Sequence, residues 1–197
     1  MISININNLI LISILILLML VILFWWFYKK IARYKTLAYS DDFGIFNHRE
    51  LNNRINILIK NTTIRSFAFM LIDIDNFKKY NDKYGYDKAD KLLQEFVNIT
   101  KSFVRKSDMF FRYKNGDEFV LIFNDIGIDE AKEIADRLRR IIAFHPFKID
   151  DNQINLTISM GIAKSLKNDS AKEIRHRAEI ALHEAKQEKN TVAVLKE

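Results

Sequence analysis

RYKNGDEFVLIF (residues 112–123) is the stretch on which the fold depends: a polar run holding Asn115-Gly116, the adjacent carboxylates Asp117 and Glu118, and then an apolar segment. Asn-Gly suits a tight hairpin because both residues accept positive φ, so DMFFRYK and DEFVLIFND read as its two strands. Working outward, SFAFMLIDID (66–75) is an apolar strand that ends in two acids. NFKKYNDKYGYDKADKLLQEFVNITKSFVRK then predicts a short helix, a break at Gly85 and a longer amphipathic helix. Downstream, IDEAKEIADRLRRIIAF predicts a helix, QINLTISMGIAKS one strand, KEIRHRAEIALHEAKQEK a helix and TVAVLK a closing strand. Upstream, NHRELNNRINILIKN has apolar positions at helical spacing. This order argues for an α/β sandwich, a mixed sheet with a central antiparallel hairpin and helices covering it.

Residues 1–28 contain no Asp, Glu, Lys or Arg, and LILISILILLMLVILFWWFY (9–28) is almost wholly apolar. As a helix it would span about 30 Å, the thickness of a bilayer's hydrocarbon core. Phe24, Trp25, Trp26, Phe27 and Tyr28 form an aromatic belt, followed at once by Lys29, Lys30, Arg33 and Lys35. The positive-inside rule therefore predicts a single-pass anchor in the cell membrane with the remainder in the cytoplasm. The expected divisions are an anchor over 1–28, a juxtamembrane linker helix over 29–44 and one domain over 45–197. Too few residues precede the anchor to build a sensory domain, so control is expected through the anchor, a partner or a product. The 197 residues are 49% hydrophobic and 28% charged, enough for one ordinary core. No cysteine is present, which removes disulfides, thiolate metal sites and Cys nucleophiles. The net charge of +6 is scattered over mixed Lys/Glu helices and the juxtamembrane cluster, not gathered in a nucleic-acid stripe.

Alternation along a strand sends Asp73 and Asp75 to one face, with Ile74 to the other. Asp75 suits capping of the following helix; Asp73 does not. If the 66–75 strand lies beside the hairpin, Asp117 approaches Asp73, and hard oxygen ligands with open positions suit Mg²⁺ or Mn²⁺ shared with substrate phosphates. The residues alone leave two readings open, a metal site or an acidic hairpin turn with an unrelated helix cap. His48, His145, His176 and His183 lack metal-ligand spacing.

Four ordered blocks resemble a known family. DIDNFKKYNDKYGYDKAD (73–90), RKSDMFFRYKNGDEFVLIF (105–123), LTISMGIA (156–163) and AEIALHEAKQEKNTV (178–192) are similar to the GGDEF domain of diguanylate cyclases. The resemblance covers roughly residues 40–195 and implies a nucleotide-cyclase, palm-like α/β sandwich. It further implies two GTP-loaded subunits of a homodimer, each 3′ hydroxyl attacking the other subunit's α-phosphorus, giving cyclic di-GMP and pyrophosphate. Asp73 and Asp117 match the family's carboxylate ligands for Mg²⁺ or Mn²⁺, with the Ile74 carbonyl completing the set. Glu118 matches the second acid, a metal ligand or proton acceptor. Asn81 and Asp90 match the guanine-reading residues, while Phe77, Lys78, Gly116, Lys186 and Lys189 fall at substrate-binding positions. Arg105 and Asp108 resemble the RxxD product-inhibition site for cyclic di-GMP, with Arg137 as its companion.

The departures are specific. Lys114 and Asn115 stand between Tyr113 and Gly116, so the first signature glycine is replaced and the hairpin is one residue longer than the family's. Near the C-terminus, AKQEKN lacks the family's glycine and has Lys189 where an arginine is usual, which keeps charge but loses bidentate phosphate geometry. SDDFGIFNHR (40–49) is an imperfect version of the motif that opens the domain. Two alternatives therefore stand beside the cyclase: a non-catalytic receptor for GTP or cyclic di-GMP, and a cyclase with altered nucleotide choice.

Overall fold

The computed structural model describes residues 6–60, 66–114 and 116–195. The first unit is the helix α1 (Ile6–Tyr39), and a second, compact unit begins at Ser40. Within α1, Leu9–Ile31 has a mean hydropathy of 3.1 and is long and apolar enough to cross a membrane. Lys29 and Lys30 fold back over the faces of Trp25 and Trp26 at 4.0 and 4.7 Å, joining the first two basic residues to the aromatic belt.

The second unit is a five-stranded sheet between two helical layers. Its strands are β1 (Phe67–Ile74), β2 (Met109–Arg112), β3 (Glu118–Asn124), β6 (Ile158–Lys164) and β7 (Val192–Leu195), in the order β2-β3-β1-β6-β7. β1 pairs antiparallel with both β3 and β6, and β6 pairs parallel with β7, so the sheet is mixed as expected. The hairpin lies to one side of it, β3 beside the central β1 and β2 on the edge. Every position of β1 is buried, as a strand with helices on both faces requires.

One face carries Met70, Ile72, Phe119 and Leu121 against α4 (Tyr86–Phe103) and α5 (Ile128–Phe144). The opposite face carries Phe69, Leu71, Val120 and Ile122 under α2 (His48–Lys60) and α6 (Ala171–Glu188). α6 sits so close to β6 that a Cβ on Gly161 would overlap the backbone of Ala178 and Leu182. Its start is fixed by a capping box, Ser170 accepting from the Glu173 amide while the Glu173 carboxylate accepts from the Ser170 amide. α3 (Phe77–Tyr84) is short, and Gly85 (φ 80) makes the expected break before α4.

Two local expectations fail. The sequence predicts one strand over 153–165, but the chain forms β5 (Asn152–Ile154), leaves the ladder over 155–157 and resumes as β6. β5 pairs with β4 (Phe147–Ile149) in a separate two-stranded hairpin turned at Asp150 (φ 53), which buries Phe147, Ile149 and Ile154. The helix-capping role for Asp75 also fails. Asn76 occupies that cap in the left-handed region (φ 56), with no side-chain hydrogen bond to the helix.

Candidate active site

β1 and β3 are in register with Asp73 opposite Glu118, so both carboxylates project toward α6. One step further, the Ile74 amide donates to the Asp117 carbonyl at 3.3 Å, drawing the hairpin turn over the end of β1. From α6, Lys186 Nζ donates to Asp73 Oδ2 at 2.6 Å. Asp73 is only 8% exposed, and burial pushes its carboxyl up to about 6, with Asp117 and Glu118 adding to the rise and Lys186 opposing it. Burial likewise raises Asp117, against the pull of its own backbone amide, Lys186 and Arg112. Three acids and one lysine thus share a desolvated strand end.

Asp75, next on that face, is consumed structurally. Its carboxylate accepts from Thr157 Oγ1 and Ser159 Oγ, both at 2.7 Å, and from the Asn190 amide at 2.9 Å. It joins β1, the start of β6 and the α6–β7 turn. At that turn Lys189 (φ 57, ψ 166) and Asn190 (φ 45) make the left-handed step that a glycine would make. Lys189 Nζ donates to Asn76 Oδ1 at 3.0 Å, which brings it back to the mouth of the site.

The hairpin turn is held from its own strand. Arg112 Nε donates to the Gly116 carbonyl at 3.1 Å, and Gly116 (φ 91) needs its left-handed conformation to make the turn. The domain's opening segment supports Arg112: Asp41 Oδ2 lies 3.9 Å from its guanidinium, Phe43 stacks beneath it at 4.4 Å, and the Arg112 amide donates to the Phe46 carbonyl. The altered opening motif therefore touches the hairpin directly. Asn115, singled out for its tolerance of positive φ, lies outside the described residues. Its neighbour Lys114 reaches Glu179 on α6 at 3.4 Å, and Tyr113 directs its hydroxyl to the same carboxylate. A groove of about 280 Å³ runs between this pair and Lys186, floored by Leu71 and Leu182 and bordered by Glu118 and His183.

Among the described residues, no three His, Cys, Asp or Glu side chains form a ready metal cage. The donor set nevertheless fits a small hard cation. Mg²⁺ is held by one or two carboxylates plus waters and phosphate oxygens, and two desolvated carboxyls with raised affinity for protons are groups that a divalent cation would relieve.

Asn81 is half-buried on α3 and Asp90 exposed on α4, on either side of the Gly85 break. Phe77 is 4% exposed and belongs to the core, so only its backbone can meet a ligand, whereas Lys78 is exposed. In the RxxD segment the Arg105 amide donates to Asp108 Oδ2 at 2.9 Å, closing the loop on itself. Arg137 stacks 5.5 Å from the ring of Phe103, at the end of the helix that leads into this loop. Sequence reasoning passed over Arg112, Tyr113, Glu179 and the buried role of Asp75; Arg112 alone had a signal, its fixed offset before the turn.

The profile described as "Diguanylate cyclase, GGDEF domain" matches residues 40–191. The chain is 35% identical over 156 residues to the response regulator PleD of Caulobacter vibrioides, covering 76% of this chain and 34% of PleD. It is 37% identical over 123 residues to diguanylate cyclase A of Treponema denticola, covering 62% of this chain and 33% of that protein. It thus spans about a third of the length of these relatives. Among solved structures, the coiled coil and GGDEF domain of DgcB from Caulobacter crescentus, in complex with c-di-GMP, superposes with a TM-score of 0.84 at 18% identity, over 91% of this chain and 97% of that one. Diguanylate cyclase SiaD from Pseudomonas aeruginosa, solved with its activator SiaC, gives 0.76 at 24%, over 96% and 77%. With the profile matched over residues 40–191 and more than a third of aligned positions identical to these relatives, the chain belongs to the GGDEF, diguanylate cyclase domain family.

Proposed function

We propose that this protein is a membrane-anchored diguanylate cyclase that condenses two GTP into cyclic di-GMP and pyrophosphate across a homodimer. The observation that carries the reading is the convergence of Asp73, Asp117 and Glu118 with Lys186 at one desolvated strand end. Asp73, Asp117 and the Ile74 carbonyl are the groups that would hold Mg²⁺ or Mn²⁺. Once bound, such an ion supplies charge neutralisation at the α-phosphate and acidifies the attacking hydroxyl. Asn81 and Asp90 read the guanine edge, the carboxylate accepting from N1 and N2 while the amide meets the remaining edge. The Phe77 backbone with Lys78 and Lys189 borders the phosphates. Lys186, freed from Asp73, turns to a phosphate oxygen and screens the leaving pyrophosphate. Glu118 accepts the proton of the 3′ hydroxyl as its oxygen bonds the α-phosphorus and the bond to pyrophosphate breaks. Each subunit supplies half of the reacting pair, and confinement to a membrane plane through Leu9–Ile31 raises their effective concentration. Arg105, Asp108 and Arg137 are the groups through which product would inhibit.

The test is the full chain in detergent or vesicles with each of the four nucleoside triphosphates and Mg²⁺ or Mn²⁺, products being read by mass. Cyclic di-GMP from GTP alone, lost in Asp117→Ala, is the expected result. No product at concentrations that support dimers would refute catalysis. The Lys114–Glu179 pair beside the groove favours a second reading, a receptor that binds GTP or cyclic di-GMP without turnover. Calorimetric binding without product would establish it, and product from another nucleotide would mark altered choice.

A further inference from the structure

A second cleft, of about 630 Å³, lies between α2 and the first turns of α6, separated from the groove above by Tyr113, Lys114 and Glu179. Its lining is predominantly basic, with Glu179 the one carboxylate among the described lining residues. Lys172 and Arg175 line it from α6, Lys114 from the hairpin, and His176 stands beside them. Two nearby acids are engaged elsewhere, Glu50 holding Arg54 at 2.6 Å and Glu173 closing the capping box, while Glu179, on the cleft wall, pairs with Lys114 and Tyr113 and leaves Lys172 and Arg175 as the excess charge. Among the described residues, no carboxylate pairs with Lys172 or Arg175.

Arg175 is also aimed. Its Nη1 donates to Asn52 Oδ1 on α2, which fixes the Asn52 amide so that Nδ2 faces His48 Nε2 at 3.2 Å. That contact makes Nε2 an acceptor and leaves the ring proton on Nδ1, which is buried without a partner. His48 is packed on Tyr113 at 5.1 Å, and burial together with Arg175 and Lys114 lowers its affinity for a proton. One guanidinium nitrogen is thus committed to α2, and the side chain it anchors lines the cleft. Solvated surface lysines do not need such a relay, whereas a planar donor fork held in place is what phosphate recognition uses.

We propose that the α2–α6 cleft binds the diphosphate or triphosphate group of a nucleotide-sized ligand through Lys172, Arg175 and Lys114. The volume lies within the range of small-molecule sites. Because Lys114 leaves Glu179 to meet the ligand, occupancy would reach the hairpin that carries Asp117 and Glu118. The site does not depend on turnover at the strand end.

The experiment uses the full chain in detergent micelles, with isotope-labelled histidine, titrated without divalent cation by inorganic pyrophosphate and, separately, by GTP. His48 and His176 report on the cleft, while His145, paired with Glu95 under the opposite face of the sheet, is the control. Saturable shifts of His48 and His176, retained in Asp90→Ala and weakened about tenfold or more in Lys172→Glu, are expected. Equal affinity for the two probes assigns the site to the phosphate chain alone, and tighter GTP binding adds the nucleoside. Lys172 is exposed and outside the Asn52 relay, so its reversal leaves the fold intact; Arg175→Gln should weaken binding similarly. Unmoved cleft histidines, equal movement of His145, or undiminished binding in Lys172→Glu would overturn the proposal.

Discussion

Replacing Asp73 by Asn removes a charge that the fold holds at a cost. The carboxyl is raised from 3.8 to about 6 inside the folded unit, so above that pH its ionisation works against the fold by about 3 kcal/mol. The sign follows from proton uptake: between these values the folded state binds more proton than the unfolded state, and stability falls as pH rises through about 6. The favourable pull of Lys186 is already contained in that raised value, and in the variant its 41% exposed side chain turns to water. Asp73→Asn should therefore stabilise the fold by about 3 kcal/mol at pH 8, more than about 100-fold in the folded-to-unfolded ratio, by about half of that at pH 5 and by little below about pH 4. Native-state hydrogen exchange of the β1 amides in the full chain, with a chelator present, measures this directly. Equal protection of parent and variant at pH 8, or a larger gap at pH 5, would refute the reasoning. The proposed cyclase activity should be lost in the same variant, which would make Asp73 a site where function is held against stability.

Lys189→Gly should raise the melting temperature by about 2–4 °C, since a side chain at φ 57, ψ 166 carries backbone strain that glycine lacks; an unchanged or lower value in differential scanning calorimetry would contradict the strain. Gly161→Ala should cost about 3 kcal/mol or more because the new Cβ meets the α6 backbone, not a movable side-chain end. Urea titration would show it as a lowered midpoint with an unchanged slope. Asp75→Ala should lower stability by about 3 kcal/mol and loosen the α6–β7 turn, seen as faster exchange of the Asn190 amide; Asp75→Asn should recover part of the loss.

The sheet was legible because its strands announce themselves by composition and its helices by period. β1 needed only its unbroken apolar run, and the β2–β3 hairpin needed only Asn115-Gly116 between apolar arms. β4 and β5 were hidden because strands of three residues offer no period to read, and Leu156 bridges β5 to β6 without a gap in apolar character. The candidate site was named as a set of residues, through spacing shared with a family, but not as a set of contacts. Lys186 could be named from its motif; its 2.6 Å bond to Asp73, 113 residues away, could not. Asp75 shows the same limit. A local rule assigned it to the helix beside it, while partners 82, 84 and 115 residues distant engage both of its oxygens.

Those separations set a clock on biogenesis. The end of β1 emerges from the ribosome early, yet one of its three anchors is the amide of Asn190, in the last turn of the domain. Until that residue is synthesised the Asp75 carboxylate is one bond short, and Asp73 has neither Lys186 nor a closed wall around it. A nascent or C-terminally nicked chain therefore lacks the contacts that close this strand end, and the candidate site is complete only once α6 and the turn after it have formed.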